Sequence, residues 1–323
     1  MHAAVYDRNG GPEVLYYAEV PDPPLRKGGL LIYVAAVSIQ GGDLLHRSGG
    51  VIPSAPHIVG YQAAGTVRAV GDDVTGFEVG QPVVATMGAG SHAEIVSVPA
   101  GSVYAVPEGL ALEQAAGVPI EFGTADDCLF EFGHLREGET VLVQAGAGGV
   151  GLAAIQLAKA AGASTVLATA SSAARLDRLR EYGMDHGIDY TTEDVGREVM
   201  RLTDGRGVDL VVDPVGGRTL EGSIAALAYR GRISWVGNAG REDHPPQVWP
   251  IMQKNASVTG VFLGAEMGMN PGRVRAMIES LLQRVADGEL HVVIDQEFPL
   301  ERAAEAHRHI EGRNAFGRVL LRV

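Results

Sequence analysis

The sequence predicts an α/β protein in which a doubly wound, parallel-sheet domain is inserted into a β-rich domain built from both ends of the chain. Three observations lead to this fold class. The length of 323 residues suggests two domains, at about 150 residues per domain. A central segment alternates short apolar runs with helix-like segments. The segments before and after it contain short extended runs instead.

The first 120 residues have the pattern of a β-rich domain. Runs containing Val, Ile and Tyr are separated by turns rich in Gly, Pro and Asp. These runs cover 30–38, 64–70, 81–86 and 94–98. Extended segments at 292–298 and 318–323 resemble this part of the chain. We therefore expect residues 1–122 and 286–323 to fold together as one domain.

Between these segments, predicted strands and helices alternate. The strands cover 140–144, 165–169, 188–190, 208–213 and 232–237, and the helices cover 149–161, 173–182, 194–203 and 219–229. Strands that are apolar on both faces imply a parallel sheet with helices on both sides. Residues 123–285 are therefore predicted to form the doubly wound domain.

Charge and cysteine content exclude several classes of protein. Lys plus Arg is 26 and Asp plus Glu is 39, so the net charge is −13, which disfavours binding to nucleic acid or to anionic membranes. The uncharged stretch 140–158 holds four glycines, which is typical of a turn-rich core segment rather than a membrane span. One cysteine, Cys128, allows no internal disulfide and no thiolate zinc cluster. Asp7 comes too early for a secretory signal, so we expect a cytoplasmic protein.

The glycine-rich stretch 141–151 carries the strongest functional signal. It reads Val-Leu-Val-Gln-Ala-Gly-Ala-Gly-Gly-Val-Gly, which predicts a buried strand, a tight turn and the start of an apolar helix. Such glycines let the backbone approach a pyrophosphate at the helix N-terminus. The alternative is a turn whose glycines serve close helix packing alone. The predicted dinucleotide contacts are Ala145, Gly148, Gly149, Val150 and Gly151.

The end of the next strand indicates which dinucleotide binds. A carboxylate at this point would hold the ribose hydroxyls of NAD, but the residues are Thr169-Ala-Ser-Ser-Ala-Ala-Arg175. Ser171, Ser172 and Arg175 would attract a 2′-phosphate, which favours NADPH. The alternative is that Ser171 caps the helix and Arg175 is a solvated charge. Capping and phosphate binding can coexist.

Motifs along nearly the whole chain resemble one family. They are Gly10-Gly-Pro-Glu-Val-Leu15, Gly60-x-x-Ala-Ala-Gly65, Val79-Gly80, Gly123-Thr-Ala125, Ala145-x-x-Gly148-Gly-Val-Gly151, Gly205-x-Gly-Val-Asp209, Val215-Gly-Gly217 and Gly317-Arg318. The chain thereby resembles the zinc-free quinone oxidoreductases related to zeta-crystallin, within the medium-chain dehydrogenase/reductase superfamily. The resemblance implies a GroES-like β domain from both chain ends and a Rossmann domain between them.

The positions of zinc ligands in related enzymes are occupied here by other residues. Zinc-dependent relatives carry a Cys where this chain has Gln40, and a Gly-His-Glu motif where it has Gly60-Tyr61-Gln62. Their later cysteine-rich lobe is missing. His307 and His309 lie two apart on a predicted helix and would point to different faces. No metal site is expected.

The resemblance also implies a substrate site and further cofactor contacts. It places the substrate against the nicotinamide in the cleft between the domains, near Gln40, Asp43, Tyr61 and Thr124. Tyr61 is either a proton donor or a core tyrosine that fills the former metal position, and Asp43 either serves the site or fixes a loop through backbone amides. The cofactor contacts that carry over are Tyr190, Asn238, Phe262 and Arg318.

These features predict an NADPH-dependent, zinc-independent oxidoreductase that transfers a hydride to a quinone or an α,β-unsaturated carbonyl. The alternatives are an enoyl reductase acting on an acyl thioester, or a non-enzymatic, crystallin-like protein that binds NADPH. The apolar run 257–263 carries no charge and no proline, so we expect a strand at the sheet edge. In the resembling family this edge pairs across a two-fold axis, which implies a homodimer; a covering loop and a monomer are the alternative.

Overall fold

A computed structural model describes residues 1–323, and the chain divides into two compact units. Named after the predicted domains, the GroES-like unit comprises Met1–Ile120 and Pro271–Val323, and the nucleotide-binding unit comprises Glu121–Asn270. These units differ from the predicted domains mainly in the helix after residue 270, which lies in the GroES-like unit. The side chain of Arg275 explains this placement, because it donates to the carbonyls of Ala100, Gly101 and Val103 and stacks on Tyr104.

The GroES-like unit is built mainly from strands. Its first segment contains β1 (His2–Tyr6), β2 (Tyr16–Glu19), β3 (Gly29–Ser38), α1 (Gly41–Gly49), β4 (His57–Ile58), β5 (Gln62–Val70), β6 (Pro82–Thr86), β7 (Ile95–Pro99), β8 (Val103–Ala105) and α2 (Leu112–Ala115). The four predicted β-runs of this segment correspond to β3, β5, β6 and β7. The prediction of a β-rich N-terminal part is confirmed.

The nucleotide-binding unit alternates strands and helices. After α3 (Pro119–Asp126), its elements are β9 (Thr140–Val143), α4 (Gly149–Ala160), β10 (Thr165–Ala170), α5 (Ala173–Leu179), β11 (His186–Asp189), α6 (Val195–Leu202), β12 (Val208–Asp213), α7 (Gly217–Ala226), β13 (Leu227–Trp235), α8 (Trp249–Gln253), β14 (Ser257–Gly260) and α9 (Leu263–Met269). None of the helices in the structure has both the length and the apolar character that crossing a bilayer requires.

The C-terminal segment completes the GroES-like unit. It contains α10 (Pro271–Ala286), β15 (Ile294–Pro299), α11 (Ala303–Glu311) and β16 (Arg318–Arg322). Strand β16 pairs antiparallel with β3, which brings the two chain ends into one sheet. That seven-stranded sheet has the order β15-β16-β3-β5-β6-β8, with β7 also paired to β3, and a smaller sheet has the order β2-β1-β4.

The six strands of the nucleotide-binding unit form one parallel sheet. Their order is β11-β10-β9-β12-β13-β14, and every neighbouring pair is parallel. Buried apolar side chains such as Leu142, Leu167 and Val211 form part of its core. The order runs outward in both directions from β9 and β12, as in doubly wound folds. The predicted fold class is confirmed.

One predicted helix extends too far along the chain. The sequence predicts a helix over 219–229, but α7 ends at Ala226 and β13 begins at Leu227. The ammonium group of Lys254 donates to the carbonyls of Ile224, Ala225 and Leu227 at this point. These bonds satisfy carbonyl groups that the end of a helix leaves without intrahelical donors.

Candidate cofactor and substrate site

The loops at the carboxyl ends of the six parallel strands form the candidate cofactor site. In open α/β sheets, ligands bind outside these ends, where the strand order reverses. Here the order reverses between β9 and β12. The predicted cofactor residues of the nucleotide-binding unit follow β9, β10, β11, β13 and β14, so the fold brings them to one edge of the sheet.

The glycine-rich turn after β9 has a tightly defined backbone. Ala145 adopts a left-handed conformation with φ of 52°. Its N–H donates to Thr169 Oγ1 at 3.0 Å, and the N–H of Gly146 donates to the Thr169 carbonyl at 2.8 Å. Gly148 then serves as the N-cap of α4. The N–H groups of the first helical turn have no intrahelical acceptors and can bind an anion.

Two glycines of this turn serve different purposes. A Cβ atom on Gly151 would meet the Ala145 carbonyl oxygen and would lie 2.8 Å from Gly146 Cα, so this glycine permits close packing of turn and helix. A Cβ on Gly148 would have no neighbour closer than Ala145 O at 3.4 Å. Internal packing therefore does not require a glycine at position 148. The open space above Gly148 fits the approach of a dinucleotide pyrophosphate.

The residues after β10 and β11 meet at the same edge of the sheet. Ser172 is the N-cap of α5, and its hydroxyl accepts the N–H of Arg175 at 3.4 Å. The alternative that Ser171 caps this helix is therefore wrong, because the cap is Ser172 and Ser171 precedes it. The N–H of Tyr190 donates to the carbonyl of Ala170, and the Tyr190 side chain is exposed. Ser171, Ser172, Arg175 and Tyr190 thus lie at the ends of two adjacent strands.

The loops after β13 and β14 hold Asn238 and Phe262. The amide of Asn238 donates to the carbonyl of Glu242 at 3.2 Å. A Cβ on Gly216 would lie 3.1 Å from Asn238 Oδ1, so the loops after β12 and β13 are in contact. Phe262 is exposed and is the N-cap residue of α9. Both residues reach the predicted edge of the sheet.

In the GroES-like unit, Gln40 and Asp43 start helix α1. Gln40 is the N-cap, and Asp43 Oδ2 accepts the Gln40 N–H at 2.8 Å. Both side chains are buried, and the Gln40 amide donates to the carbonyl of Ser38. The structural alternative for Asp43 is therefore confirmed, because its carboxylate fixes the start of this helix. A direct role for Asp43 in the substrate site stays a prediction.

Tyr61 lies next to the same helix. Its hydroxyl donates to the carbonyl of Gly42 at 3.3 Å, and its ring lies against Gly42. Burial raises the pKa of Tyr61, with a further contribution from the nearby carboxylate of Asp43. The phenol therefore keeps its proton at neutral pH. Its long hydrogen bond to Gly42 leaves Tyr61 suited to donate to a substrate oxygen.

Two further predicted residues lie in different units. Thr124 is buried in helix α3 and belongs to the nucleotide-binding unit. Arg318 belongs to the GroES-like unit, where its guanidinium donates to Ser38 Oγ and to the carbonyl of Ile39. These contacts hold Arg318 against Ile39, which directly precedes Gln40 in the chain.

Comparison with known proteins identifies the family. Residues 26–108 match the family model described as alcohol dehydrogenase GroES-like domain, and residues 149–284 match that of zinc-binding dehydrogenase. A quinone oxidoreductase from Pseudomonas aeruginosa is 35% identical over 315 residues, which cover 97% of this chain and 96% of the relative. The chain belongs to the quinone oxidoreductase family of the medium-chain dehydrogenase/reductase superfamily.

Other similar proteins show the range of this superfamily. A 2-haloacrylate reductase from Burkholderia sp. is 31% identical over 328 residues, 99% of this chain and 98% of the relative. Escherichia coli quinone oxidoreductase complexed with NADPH has a TM-score of 0.94 and 28% identity, and an NAD-dependent alcohol dehydrogenase has a TM-score of 0.88 and 33% identity; each alignment covers 100% of both chains. The chain spans 65% of the length of the synaptic vesicle membrane protein VAT-1 homolog of Danio rerio, at 32% identity.

In this member of the quinone oxidoreductase family, the residues that the resemblance places at zinc-ligand positions form other contacts. The positions that bind zinc in zinc-dependent relatives hold Gln40 and Tyr61, and the adjacent Gln62 side chain accepts the N–H of Ile120 at 3.1 Å. No group of three or more His, Cys, Asp or Glu side chains is arranged to hold a metal ion. His307 is buried, while His309 pairs with Asp295 at 2.7 Å, so the two histidines serve different contacts.

Elemental analysis of the protein purified without added metal should find no stoichiometric zinc. Chelators should also leave reductase activity unchanged, because amide and phenol groups at the former ligand positions bind zinc poorly. A full equivalent of zinc that is removed together with activity would contradict this expectation. A chelator-treated sample to which zinc is restored is the control for damage by the chelator.

A group of buried polar side chains beneath the candidate cofactor loops was not predicted from the sequence. The group consists of Gln144 directly after β9, Thr169 near the end of β10, Asp213 at the end of β12 and Ser223 on α7. All four are buried. The sequence did contain a signal, since it places a Gln, a Thr and an Asp at the ends of otherwise apolar strands. Burying such side chains costs free energy unless they form hydrogen bonds. Their mutual pairing could not be deduced from spacing.

Proposed function

We propose that this chain is an NADPH-dependent, zinc-independent oxidoreductase that transfers a hydride to an electron-poor acceptor, either a quinone or an α,β-unsaturated carbonyl. One observation carries the proposal. The edge of the parallel sheet combines an open glycine at the N-cap of α4 with Ser171, Ser172 and Arg175 after the next strand, and the segment 169–175 contains no carboxylate. The NADPH complex of the similar Escherichia coli enzyme supports the choice of cofactor.

The nucleotide-binding unit holds the cofactor in this proposal. The first turn of α4, from Gly149 to Gly151, binds the pyrophosphate through backbone N–H groups. The hydroxyls and the guanidinium after β10, with Tyr190 beside them, bind the 2′-phosphate. Asn238 and Phe262 complete the site at the ends of β13 and β14. Bound NADPH supplies the hydride.

The chain supplies hydrogen-bond donors for the acceptor. Hydride addition to a quinone carbon or to the β-carbon of an enone leaves negative charge on the acceptor oxygen, and a proton must follow. Tyr61 keeps its phenolic proton, because burial raises its pKa. We assign to Tyr61 and Gln40 the donation to the acceptor oxygen, and to Thr124 a further hydroxyl contact. Asp43 and Arg318 hold the backbone around Gln40.

A reductase of activated alkenes is the second candidate within the same chemistry. The similarity to a 2-haloacrylate reductase favours it, and an acyl thioester acceptor belongs to this class. Loss of NADPH absorbance with a panel of quinones, enones and enoyl thioesters tests both. Turnover with any of them supports an enzyme and identifies its acceptor class. Saturable NADPH binding without turnover on the whole panel would contradict the proposal and favour the non-enzymatic alternative.

A cytoplasmic location stays a prediction.

Replacing Arg175 with alanine should raise the Michaelis constant for NADPH and leave that for NADH nearly unchanged. The loss of one charge-assisted contact with a phosphate corresponds to a rise of roughly tenfold or more in the Michaelis constant for NADPH. Arg178→Ala is the matched control, because this arginine lies on the exposed side of the same helix. Equal effects of Arg175→Ala on both cofactors would rule out the assignment to the 2′-phosphate.

We also propose that the protein forms a homodimer through the edge strand β14. The structure confirms that β14 is the last strand of the sheet. The N–H of Val261 donates to the Trp235 carbonyl; since backbone groups alternate in direction along a strand, those of Val258 and Gly260 point outward. Unpaired groups at such an edge can pair with a second copy.

Light scattering at micromolar concentration should give twice the 33.8 kDa of one chain. Val258→Pro should shift the mass toward monomer, because proline removes an outward donor. Val258→Ala keeps that donor and is the matched control. A mass near that of one chain for the wild type would contradict the dimer, and a dimer unaffected by the proline would place the interface elsewhere.

A further inference from the structure

Four buried side chains of the nucleotide-binding unit form one continuous chain of hydrogen bonds. We name it the switch-point network, and its members are Gln144, Thr169, Asp213 and Ser223. Thr169 Oγ1 donates to Gln144 Oε1 at 2.9 Å, Gln144 Nε2 donates to Ser223 Oγ at 3.0 Å, and Ser223 Oγ donates to Asp213 Oδ2 at 2.7 Å. Every side chain of the network is at most 1% exposed.

Each end of the network holds a backbone segment at the cofactor edge. At one end, Thr169 Oγ1 accepts the N–H of Ala145, the left-handed residue of the glycine-rich turn. At the other end, Asp213 Oδ1 accepts the N–H groups of Val215 and Gly216 at 2.9 and 3.0 Å. The network therefore connects the turn after β9 with the loop after β12.

The position of the network coincides with the reversal of strand order. Gln144 follows β9 and Asp213 ends β12, and ligands of doubly wound sheets bind between the two strands at which the order reverses. The N–H of Gln144 also donates to the carbonyl of Val212. The network thus lies directly beneath the place where the dinucleotide would bind.

The hydrogens along the network run in one direction, toward the carboxylate. Thr169, Gln144 and Ser223 each donate to the next member, and the final acceptor is Asp213. Such aligned bonds strengthen one another in a low-dielectric interior. Because the Asp213 oxygens accept only from neutral donors in this chain of bonds, the site fixes geometry without a counter-charge from the network.

Apolar side chains of similar volume would fill this space without any desolvation cost. A buried carboxylate, amide and two hydroxyls instead impose a single arrangement, because each group must find its partner. The arrangement they impose is that of the two loops at the cofactor edge. This is the property expected of a support for a binding site rather than of ordinary core packing.

We propose that Thr169 and Asp213 are positioning residues for the dinucleotide: the switch-point network holds the glycine-rich turn and the loop after β12 in the geometry that binds the cofactor. The inference rests on the proposed NADPH-binding function. It assigns no contact between these side chains and the cofactor, since all four are buried beneath the backbone that would make that contact.

Thr169→Val tests one end of the network. Valine keeps the shape of threonine but cannot accept the Ala145 N–H, so we expect the dissociation constants for NADPH and NADH both to rise about tenfold. The ratio between the two should stay as in the wild type, because the network does not touch the 2′-phosphate residues. Thr169→Ser restores the hydroxyl and should bind within about twofold of the wild type.

Asp213→Asn tests the other end. The new amide must turn its oxygen to Val215 and Gly216, so its NH₂ group faces Ser223. The Ser223 oxygen then accepts from this group. Either the Ser223 hydroxyl hydrogen loses its acceptor, or the Ser223 hydroxyl and the Gln144 amide reverse and the Thr169 hydroxyl hydrogen loses its acceptor. The effect of Asp213→Asn should therefore resemble that of Thr169→Val. The dissociation constant of the double variant should exceed that of the weaker-binding single variant by at most about twofold, because both changes break the same network.

Nicotinamide fluorescence titration measures binding, and thermal unfolding of the cofactor-free protein measures stability. Folded Thr169→Val and Asp213→Asn proteins with wild-type affinity would overturn the proposal, as would fully additive losses in the double variant. If both variants fail to fold, Ser223→Ala interrupts the network with a smaller change, and unchanged affinity in that variant would overturn it. In turnover, KM for NADPH should rise while kcat stays within about twofold. A wild-type chain that binds neither NADPH nor NADH would contradict the proposed function itself.

Discussion

Gly148→Ala is expected to leave the fold intact and to reduce binding of both NADPH and NADH by far more than tenfold. The backbone of Gly148 has φ of −84° and ψ of 170°, which alanine adopts without strain. The added methyl would lie 3.4 Å from its nearest neighbour, Ala145 O. It would therefore occupy the space above the first turn of α4, where the pyrophosphate has to approach the backbone.

Gly151→Ala is the comparison that separates binding from folding. Its methyl would collide with the Ala145 carbonyl and with the Gly146 backbone, and overpacking of this kind costs about 1–3 kcal/mol or more. Thermal unfolding of the cofactor-free proteins should show a lower Tm for Gly151→Ala and an unchanged Tm for Gly148→Ala. Wild-type affinity in Gly148→Ala would show that the dinucleotide does not approach this turn.

Acid is expected to destabilise the GroES-like unit strongly, because this unit holds two neutral histidines in its interior. The Nε2 atoms of His92 and His307 lie 3.1 Å apart, and both side chains are fully buried. Burial lowers the pKa of His92 from its ordinary value near 6.5 to about 3. Burial also lowers the pKa of His307, with contributions from His92 and from the Arg47 cation. Arg47 is itself buried and paired with Glu311.

The sign of the effect follows from proton binding. Below about pH 6.5 the unfolded chain binds protons at these histidines that the folded chain excludes, so stability falls as the pH falls toward about 3. His92 alone contributes a slope of about 1.4 kcal/mol per pH unit in this window. At neutral pH both states hold neutral imidazoles, and the contribution is absent.

Urea unfolding between pH 7 and pH 4.5 measures this slope. His307→Gln replaces one titrating group by a neutral hydrogen-bonding side chain, so stability should depend less steeply on pH than in the wild type. His134→Gln is the control, since this histidine is exposed and its replacement leaves the buried pair in place, so the slope should stay as in the wild type. Parallel curves for His307→Gln and the wild type would contradict the assignment.

The parallel sheet could be predicted from the sequence because its signals are local. The run Val-Leu-Val before the glycines and Val208–Asp213 each combine β-branched residues with clear boundaries, and both are strands in the structure. The end of α7 could not be predicted in the same way. No helix-breaking residue stands at 227–229, and the contacts that end the helix come from Lys254, far along the chain.

The candidate site was predictable only where residues follow strands directly. The glycine-rich turn and Arg175 could be predicted as site residues from their positions after β9 and β10. Asp43 was ambiguous, since a buried carboxylate at a helix start and a catalytic carboxylate have the same sequence signal. The structure shows its bond to the Gln40 N–H, and its part in catalysis stays a prediction. The switch-point network was beyond reach, because Gln144 and Ser223 are 79 residues apart.

Burial argues against a nucleophilic role for Cys128. Its thiol is buried, and burial raises its pKa, with a further contribution from Asp127. A thiol in this environment stays protonated and is a poor nucleophile. Cys128 therefore serves packing in the core.

Titration of the wild-type chain with NADPH and with NADH, followed by nicotinamide fluorescence, tests the central claim most directly. The loops at the carboxyl ends of the parallel strands should bind one NADPH per chain. Because Ser171, Ser172 and Arg175 replace the carboxylate that an NAD site requires, NADPH should bind at least about tenfold more tightly than NADH. Tighter or equal binding of NADH, or no saturable binding of either dinucleotide, would contradict the account.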